Sequence, residues 1–144
     1  MPLFILENYN ESFEAYTRSL ELDPNNTNSW SGMGYVLLKQ KKYEDALGAI
    51  NHALHIEPNY TYALNYKAYV LHKLGNYDDA LVIADLALKI DPANADAWSA
   101  KGSILNDQGK YADAMAACDQ ALKIDPMNED AKKEREKAQS KLFS

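Results

Sequence analysis

Between residues 27 and 60 the apolar positions form two stripes with helical spacing. Trp30, Met33, Leu37 and Leu38 recur at three- and four-residue steps, and so do Ala46, Leu47, Ile50, Ala53 and Leu54. Each stripe is the signature of a helix that buries one face. The pattern predicts a first helix, capped by Thr27, Asn28 or Ser29, that runs to about Lys39. Lys41-Lys42 then make a short connection, and a second helix runs from about Tyr43 to Ile56. Glu57-Pro58 ends it, because proline cannot continue the hydrogen-bond ladder and disfavours helix in the residue before it. Two helices joined this tightly form an antiparallel hairpin.

The same text returns twice. Leu64, Leu71 and Leu74 precede a Gly75-Asn76 turn, and Ala80, Leu81, Ala84 and Ala87 follow it. Trp98, Gly102 and Leu105 precede Gly109, and Ala114, Met115, Cys118 and Ala121 follow it. Pro24, Pro58, Pro92 and Pro126 keep a 34-residue step, as do Tyr9, Tyr43, Tyr77 and Tyr111. A fixed period of this length means stacked copies of one supersecondary unit, hence an all-α repeat fold with an extended surface. Small residues hold columns of their own: Gly34, Ala68, Gly102; Ala46, Ala80, Ala114; Ala53, Ala87, Ala121. There two helix backbones must approach closely, and a larger side chain would cost roughly 1–3 kcal/mol.

These residues resemble the tetratricopeptide repeat (TPR) family over about 9–128: Trp30-x3-Gly34, Trp98-x3-Gly102, the tyrosine and alanine columns and the terminal prolines. The resemblance implies a right-handed α-solenoid of antiparallel hairpins, the TPR superhelix. Its units would be a partial leading one at 1–26, complete ones at 27–60, 61–94 and 95–128, and a capping helix at 129–144. The unit 61–94 departs from the pattern, with Leu64 for the tryptophan and Ala68 for the glycine. The leading unit has Ser12 and Ser19 where later ones have alanine.

The two ends carry separate expectations. Counting back from Pro24, the chain begins inside what would be a first helix, and a second helix occupies about 10–22 with Phe13, Tyr16 and Leu20 apolar. Two arrangements would cover that helix. Either Leu3, Phe4, Ile5, Phe13 and Tyr16 bury against a second chain, making a homo-oligomer, or residues 1–6 fold back over it. At the other end Ala131, Ala138, Leu142 and Phe143 are the apolar residues of a charged helix, as a terminal cap requires.

Charge and composition then narrow the partners. The net charge of −6 argues against nucleic acid, which selects basic faces. Segment 129–144 is +1, which leaves −7 on the remainder. No apolar run approaches the ~20 residues that span a membrane. The start lacks a basic leader and a small-residue cleavage pattern, so the expected compartment is the cytoplasm. Cys118 is the single cysteine, expected as an inert core thiol. Asn10, Asn25 and Asn59 head glycosylation-like triplets and read as turn and capping residues.

Catalytic and metal-binding patterns are missing, so no enzyme activity and no cofactor are expected. His52 and His55 lie on one helix face, yet two ligands do not complete a metal site. Gly109-Lys110 lacks the glycine spacing of a phosphate loop. Glu44-Asp45 and Asp78-Asp79 fall in first helical turns, where acids meet the positive end of the helix dipole.

In the resembled family the first helices line a concave groove that binds peptides or partner helices. By column, the groove here would comprise Asn28, Ser31, Tyr35 and Lys39; Tyr62, Asn65, Tyr69, His72 and Lys73; and Ser99, Ser103 and Asn106, with Asp96 and Asp107. The capping helix would add Lys133, Lys137 and Lys141. Clustered tyrosines suit a binding surface, since each brings large area at little entropic cost; Tyr62 and Tyr66 have the alternative of packing between repeats. Chaperone-binding members hold a terminal carboxylate at columns that read Ser31, Tyr35, Tyr66, Asp96 and Ala100 here, so no such clamp is expected. The asparagine ladder of glycosyltransferase-associated members is replaced by Gly32, Tyr66 and Ala100. The expected function is a non-catalytic scaffold binding a protein or peptide in the groove. The alternatives are a self-assembly segment of a longer array and the regulatory arm of an enzyme.

Overall fold

A computed structural model describes the chain from Leu3 to Ser144, with side chains from Asn8 onward. Among the described residues there are eight helices and no strand. They are α1 (Leu3–Leu22), α2 (Thr27–Lys39), α3 (Tyr43–Ile56), α4 (Thr61–Lys73), α5 (Tyr77–Ile90), α6 (Ala95–Asp107), α7 (Tyr111–Ile124) and α8 (Glu129–Leu142). The chain divides into two compact units, Met1–Leu74 and Gly75–Ser144.

The three tight turns share one backbone device. Lys41, Gly75 and Gly109 have φ of 62°, 82° and 76°. At the first, Lys41 N–H donates to Leu38 O and Lys42 N–H to Leu37 O; at the third, Gly109 N–H donates to Asn106 O and Lys110 N–H to Leu105 O. This is the Schellman closure, which satisfies the last carbonyls of a helix through one left-handed residue. Lys41 holds that conformation without glycine's freedom, at a cost of about 1–2 kcal/mol.

The opposite helix ends are capped from one residue earlier than the sequence pattern suggests. Asn26, Asn94 and Asn128, all in extended conformation, accept from Ser29, Ala97 and Ala131 N–H at 2.9–3.0 Å. Thr27 and Ser29 are buried instead. In the loop before each of these caps, Asp23, Asp91 and Asp125 accept from the N–H two residues on, at 3.0–3.1 Å. Trp30 and Trp98 then tie the same loops down, their indole N–H donating to Pro24 O at 2.8 Å and Pro92 O at 3.0 Å.

The alanine columns sit at the helix crossings as expected: Ala46, Ala53, Ala80, Ala87, Ala114 and Ala121 have no exposed surface. In the first unit a Cβ added to Gly34 would stand 2.6 Å from Ile50 Cγ1; in the second, one added to Gly102 would stand 2.5 Å from Cys118 Sγ. Leu37, Leu38, Ala46, Ala49, Ile50 and Val70 build the first core, with Phe13 packed against it. Leu105, Ala114, Ala117 and Ala138 build the second. Of the apolar residues of the last segment, Ala131 and Ala138 are buried, whereas Leu142 at the end of α8 and Phe143 just beyond it are exposed.

The leading unit differs from the expectation of a broken helix. α1 is continuous from Leu3 to Leu22, so residues 3–6 extend the helix rather than folding back over it. The position equivalent to Lys41, Gly75 and Gly109 is Glu7, a good helix former with no bias toward positive φ. The side chains of Leu3, Phe4 and Ile5, on which the second-chain arrangement rests, lie outside the described residues.

Candidate functional site

The first unit contains a cavity of about 290 Å³ lined by Tyr16, Asn28, Ser31, Gly32, Tyr35, Tyr60, Tyr62 and Tyr66. Three helices and one capping position supply it. Asn28, Ser31, Gly32 and Tyr35 come from successive turns of α2, Tyr62 and Tyr66 from α4, Tyr60 from the residue that opens α4, and Tyr16 from α1. Tyr35 and Tyr66 meet with centroids 5.2 Å apart and planes at 44°; Tyr60 and Tyr62 meet at 5.8 Å and 55°. Tilted pairs at these separations set the positive edge of one ring toward the negative face of the other.

Polar groups orient the walls. Tyr60 Oη donates to Asn28 Oδ1 at 3.3 Å. Burial, and then the neighbouring Glu57, Tyr62 and Tyr16, push the Tyr60 phenol above its ordinary pKa. Burial also raises Tyr66, aided by Tyr35, Tyr60, Tyr62 and Tyr16. Both phenols are therefore neutral donors at physiological pH, and Tyr66 senses all four of the other rings.

Gly32 makes room for this arrangement. A Cβ there would stand 2.6 Å from the Tyr16 phenol oxygen and closer still to the ring. In later units the column of Tyr16 holds Ile50, Ala84 and Cys118. Ile50 packs on Gly34 and Cys118 on Gly102, each within its own hairpin. α1 has no preceding hairpin partner among the described residues, and Tyr16 reaches Gly32 of α2 instead.

Of the residues expected from sequence to line a groove, Asn28, Ser31, Tyr35 and Tyr62 converge on this cavity. Lys39, Asn65, Tyr69, His72 and Lys73 lie on α2 and α4 outside it. Lys39 Nζ stands 5.5 Å from the Tyr35 ring centroid, and Lys73 Nζ 5.4 Å from that of Tyr69. On α6 the expectation meets buried residues. Ser99 and Asn106 are 5% and 3% exposed, and Ser103 is half-buried. Asn106 Nδ2 donates to Glu134 O and Glu134 Oε2, both at 2.9 Å, so this residue ties α6 to α8. Asp96 accepts from Asn128 Nδ2 at 3.5 Å, and Lys137 pairs with Asp107 at 3.4 Å.

Tyr16, Gly32, Tyr60 and Tyr66 were not among the groove residues expected from sequence. The signal was a break in the columns: Tyr60 replaces the capping asparagine held at 26, 94 and 128, and no side chain caps α4. Elsewhere, among the described residues, no cluster of His, Cys, Asp and Glu has the composition of a metal site. His52 instead stacks on Trp30, with centroids 4.2 Å apart and planes at 10°. Cys118 is fully buried, and burial pushes its thiol up to about 11. No described helix is long and apolar enough to cross a membrane.

Tetratricopeptide repeat models match residues 33–95 and 67–129, and further ones match 15–48 and 3–26. The chain belongs to the tetratricopeptide repeat family. Solved TPR structures share its fold. The first TPR of Spaghetti (RPAP3), bound to the HSP90 peptide SRMEEVD, is 21% identical with a TM-score of 0.77, over 85% of this chain and 97% of that one. The Sgt2 TPR domain from Aspergillus fumigatus is 24% identical with a TM-score of 0.77, over 81% and 79%. YrrB, described as a TPR protein with an unusual peptide-binding site, is 24% identical with a TM-score of 0.78, over 92% and 69%. No curated protein matches the sequence.

Proposed function

We propose that this TPR chain is a non-catalytic protein-interaction scaffold whose units are 27–60, 61–94 and 95–128, and whose first compact unit binds a peptide or partner helix over α2 and α4. The observation that carries the reading is Tyr60. At the same column three asparagines cap helices, a bond worth ~1 kcal/mol each. Tyr60 forgoes that bond and completes a wall of five tyrosines. A residue that breaks a local rule at the edge of a cavity marks a site kept for something other than stability.

The solved relatives support peptide binding as the class of function, one of them holding a chaperone-tail peptide and another described by its peptide-binding site. The chaperone tail itself is a poor fit for this chain. Ser31, Tyr35, Tyr66, Asp96 and Ala100 present no basic side chain to a terminal carboxylate. Self-association has less support. Two of its five apolar residues are engaged within the first unit, Phe13 against the core and Tyr16 on Gly32.

The test is selection from a displayed random-peptide library, followed by affinity measurement on a Tyr35→Ala/Tyr62→Ala variant. Both side chains are substantially exposed, so the fold should survive, checked by helical circular dichroism. Selected peptides should lose at least ten-fold in affinity. Unchanged affinity would move the binding surface away from α2 and α4.

A further inference from the structure

The chemistry of the cavity narrows its ligand. None of the eight lining residues is charged; five are phenols, and the others are Asn28, Ser31 and Gly32. The face of a tyrosine ring carries the negative end of its quadrupole and attracts a cation within about 6 Å of the centroid. This surface already shows that preference twice, in the ammonium groups of Lys39 over Tyr35 and Lys73 over Tyr69. Residues 1–74 hold six basic and eight acidic side chains, a balance of −2. The carboxylate of Glu57 lies near enough to Tyr60 to disfavour a further negative charge there.

Resting on the peptide-binding reading, we propose that the tyrosine cavity is a receptor for the arginine side chain of a bound peptide. A guanidinium is planar, stacks on aromatic faces and is weakly hydrated, so it enters such a space more readily than an ammonium. It has five N–H donors, and the lining supplies acceptors in the phenol oxygens and in the Asn28 amide oxygen, which keeps a lone pair beyond the one that Tyr60 Oη engages. A volume of about 290 Å³ admits the whole side chain. A neutral proline or leucine would fill the same space without using the ring faces.

The experiment is an amide-resonance titration of the full chain with three capped pentapeptides, Gly-Ser-X-Ser-Gly, in which X is arginine, its uncharged isostere citrulline, or proline. The arginine peptide should shift the amides of Asn28, Ser31, Gly32, Tyr60 and Tyr62 to saturation, at least ten-fold more tightly than the citrulline peptide. Tyr62→Phe keeps the ring and should stay within three-fold, whereas Tyr62→Leu should lose ten-fold; Tyr62 is 62% exposed, so neither change should unfold the unit. Equal affinity for arginine and citrulline, equal losses in the Phe and Leu variants, or no saturable shift would overturn the proposal. Tighter binding of the proline peptide at the same amides would overturn the arginine assignment and leave the peptide-binding reading standing. That reading fails separately, if library-selected peptides ignore Tyr35 and Tyr62.

Discussion

Tyr16 of α1 lies so close on Gly32 of α2 that any Cβ at residue 32 would meet the phenol ring. The contact involves the far end of a movable side chain, which decides what Gly32→Ala would do. The ring can swing aside, and alanine gains about 1 kcal/mol of helix propensity over glycine. The expected outcome is a melting temperature within a few degrees of the parent and at least five-fold weaker binding of a selected peptide. Gly34→Ala provides the contrast. Its Cβ would stand 2.6 Å from Ile50 Cγ1 and 3.4 Å from Ala46 O, inside a core that cannot open. It should cost about 1–3 kcal/mol in chemical denaturation.

Tyr60→Asn should separate stability from binding in the opposite direction. Asparagine there recreates the cap seen at Asn26, Asn94 and Asn128, stabilising α4 by about 0.5–1 kcal/mol. It also removes one wall of the cavity and the bond to Asn28. Denaturation midpoint should rise while peptide affinity falls. A variant that is both more stable and fully competent in binding would mean that Tyr60 is not part of the site.

Tyr69→Ala addresses the surface next to the cavity. The side chain is 40% exposed, with Lys73 over its ring. Its removal should change unfolding free energy by less than about 1 kcal/mol. A loss of several kcal/mol would make Tyr69 a core residue and remove it from any docking surface.

Cys118 predicts an alkaline limit to stability. Its native thiol ionises near pH 11, against an ordinary value of 9.0. Between those values the unfolded state releases the proton and the native state keeps it, so stability is lost as pH rises through this window. The loss approaches about 2–3 kcal/mol by pH 11. Comparing the parent with Cys118→Ala from pH 8 to pH 11 isolates this contribution, because other titrations are common to both. The alanine variant should show the shallower decline. The same burial should leave the native thiol unreactive toward a disulfide reagent at pH 8 until denaturant is added.

The repeat was determined by sequence alone because its physics is local and periodic. Helical stripes, the Asp-Pro turns and the columns of small residues each act over a few positions, and 34-residue repetition multiplies every signal. That was enough to place the helices from α2 to α8, the buried alanines and the buried cysteine. The candidate site followed a different logic. Tyr16, Tyr60 and Tyr66 stand far apart or in unlike columns, and only packing α1, α2 and α4 together brings their rings into one cavity. Likewise, whether a first-helix residue faces solvent depended on its neighbours: α8 sits against α6, and Glu134 takes both bonds of the Asn106 amide, turning an expected groove residue into a strut. Periodicity assigns a residue to a helix face; what covers that face is a property of the next element, and only the tertiary structure decided it.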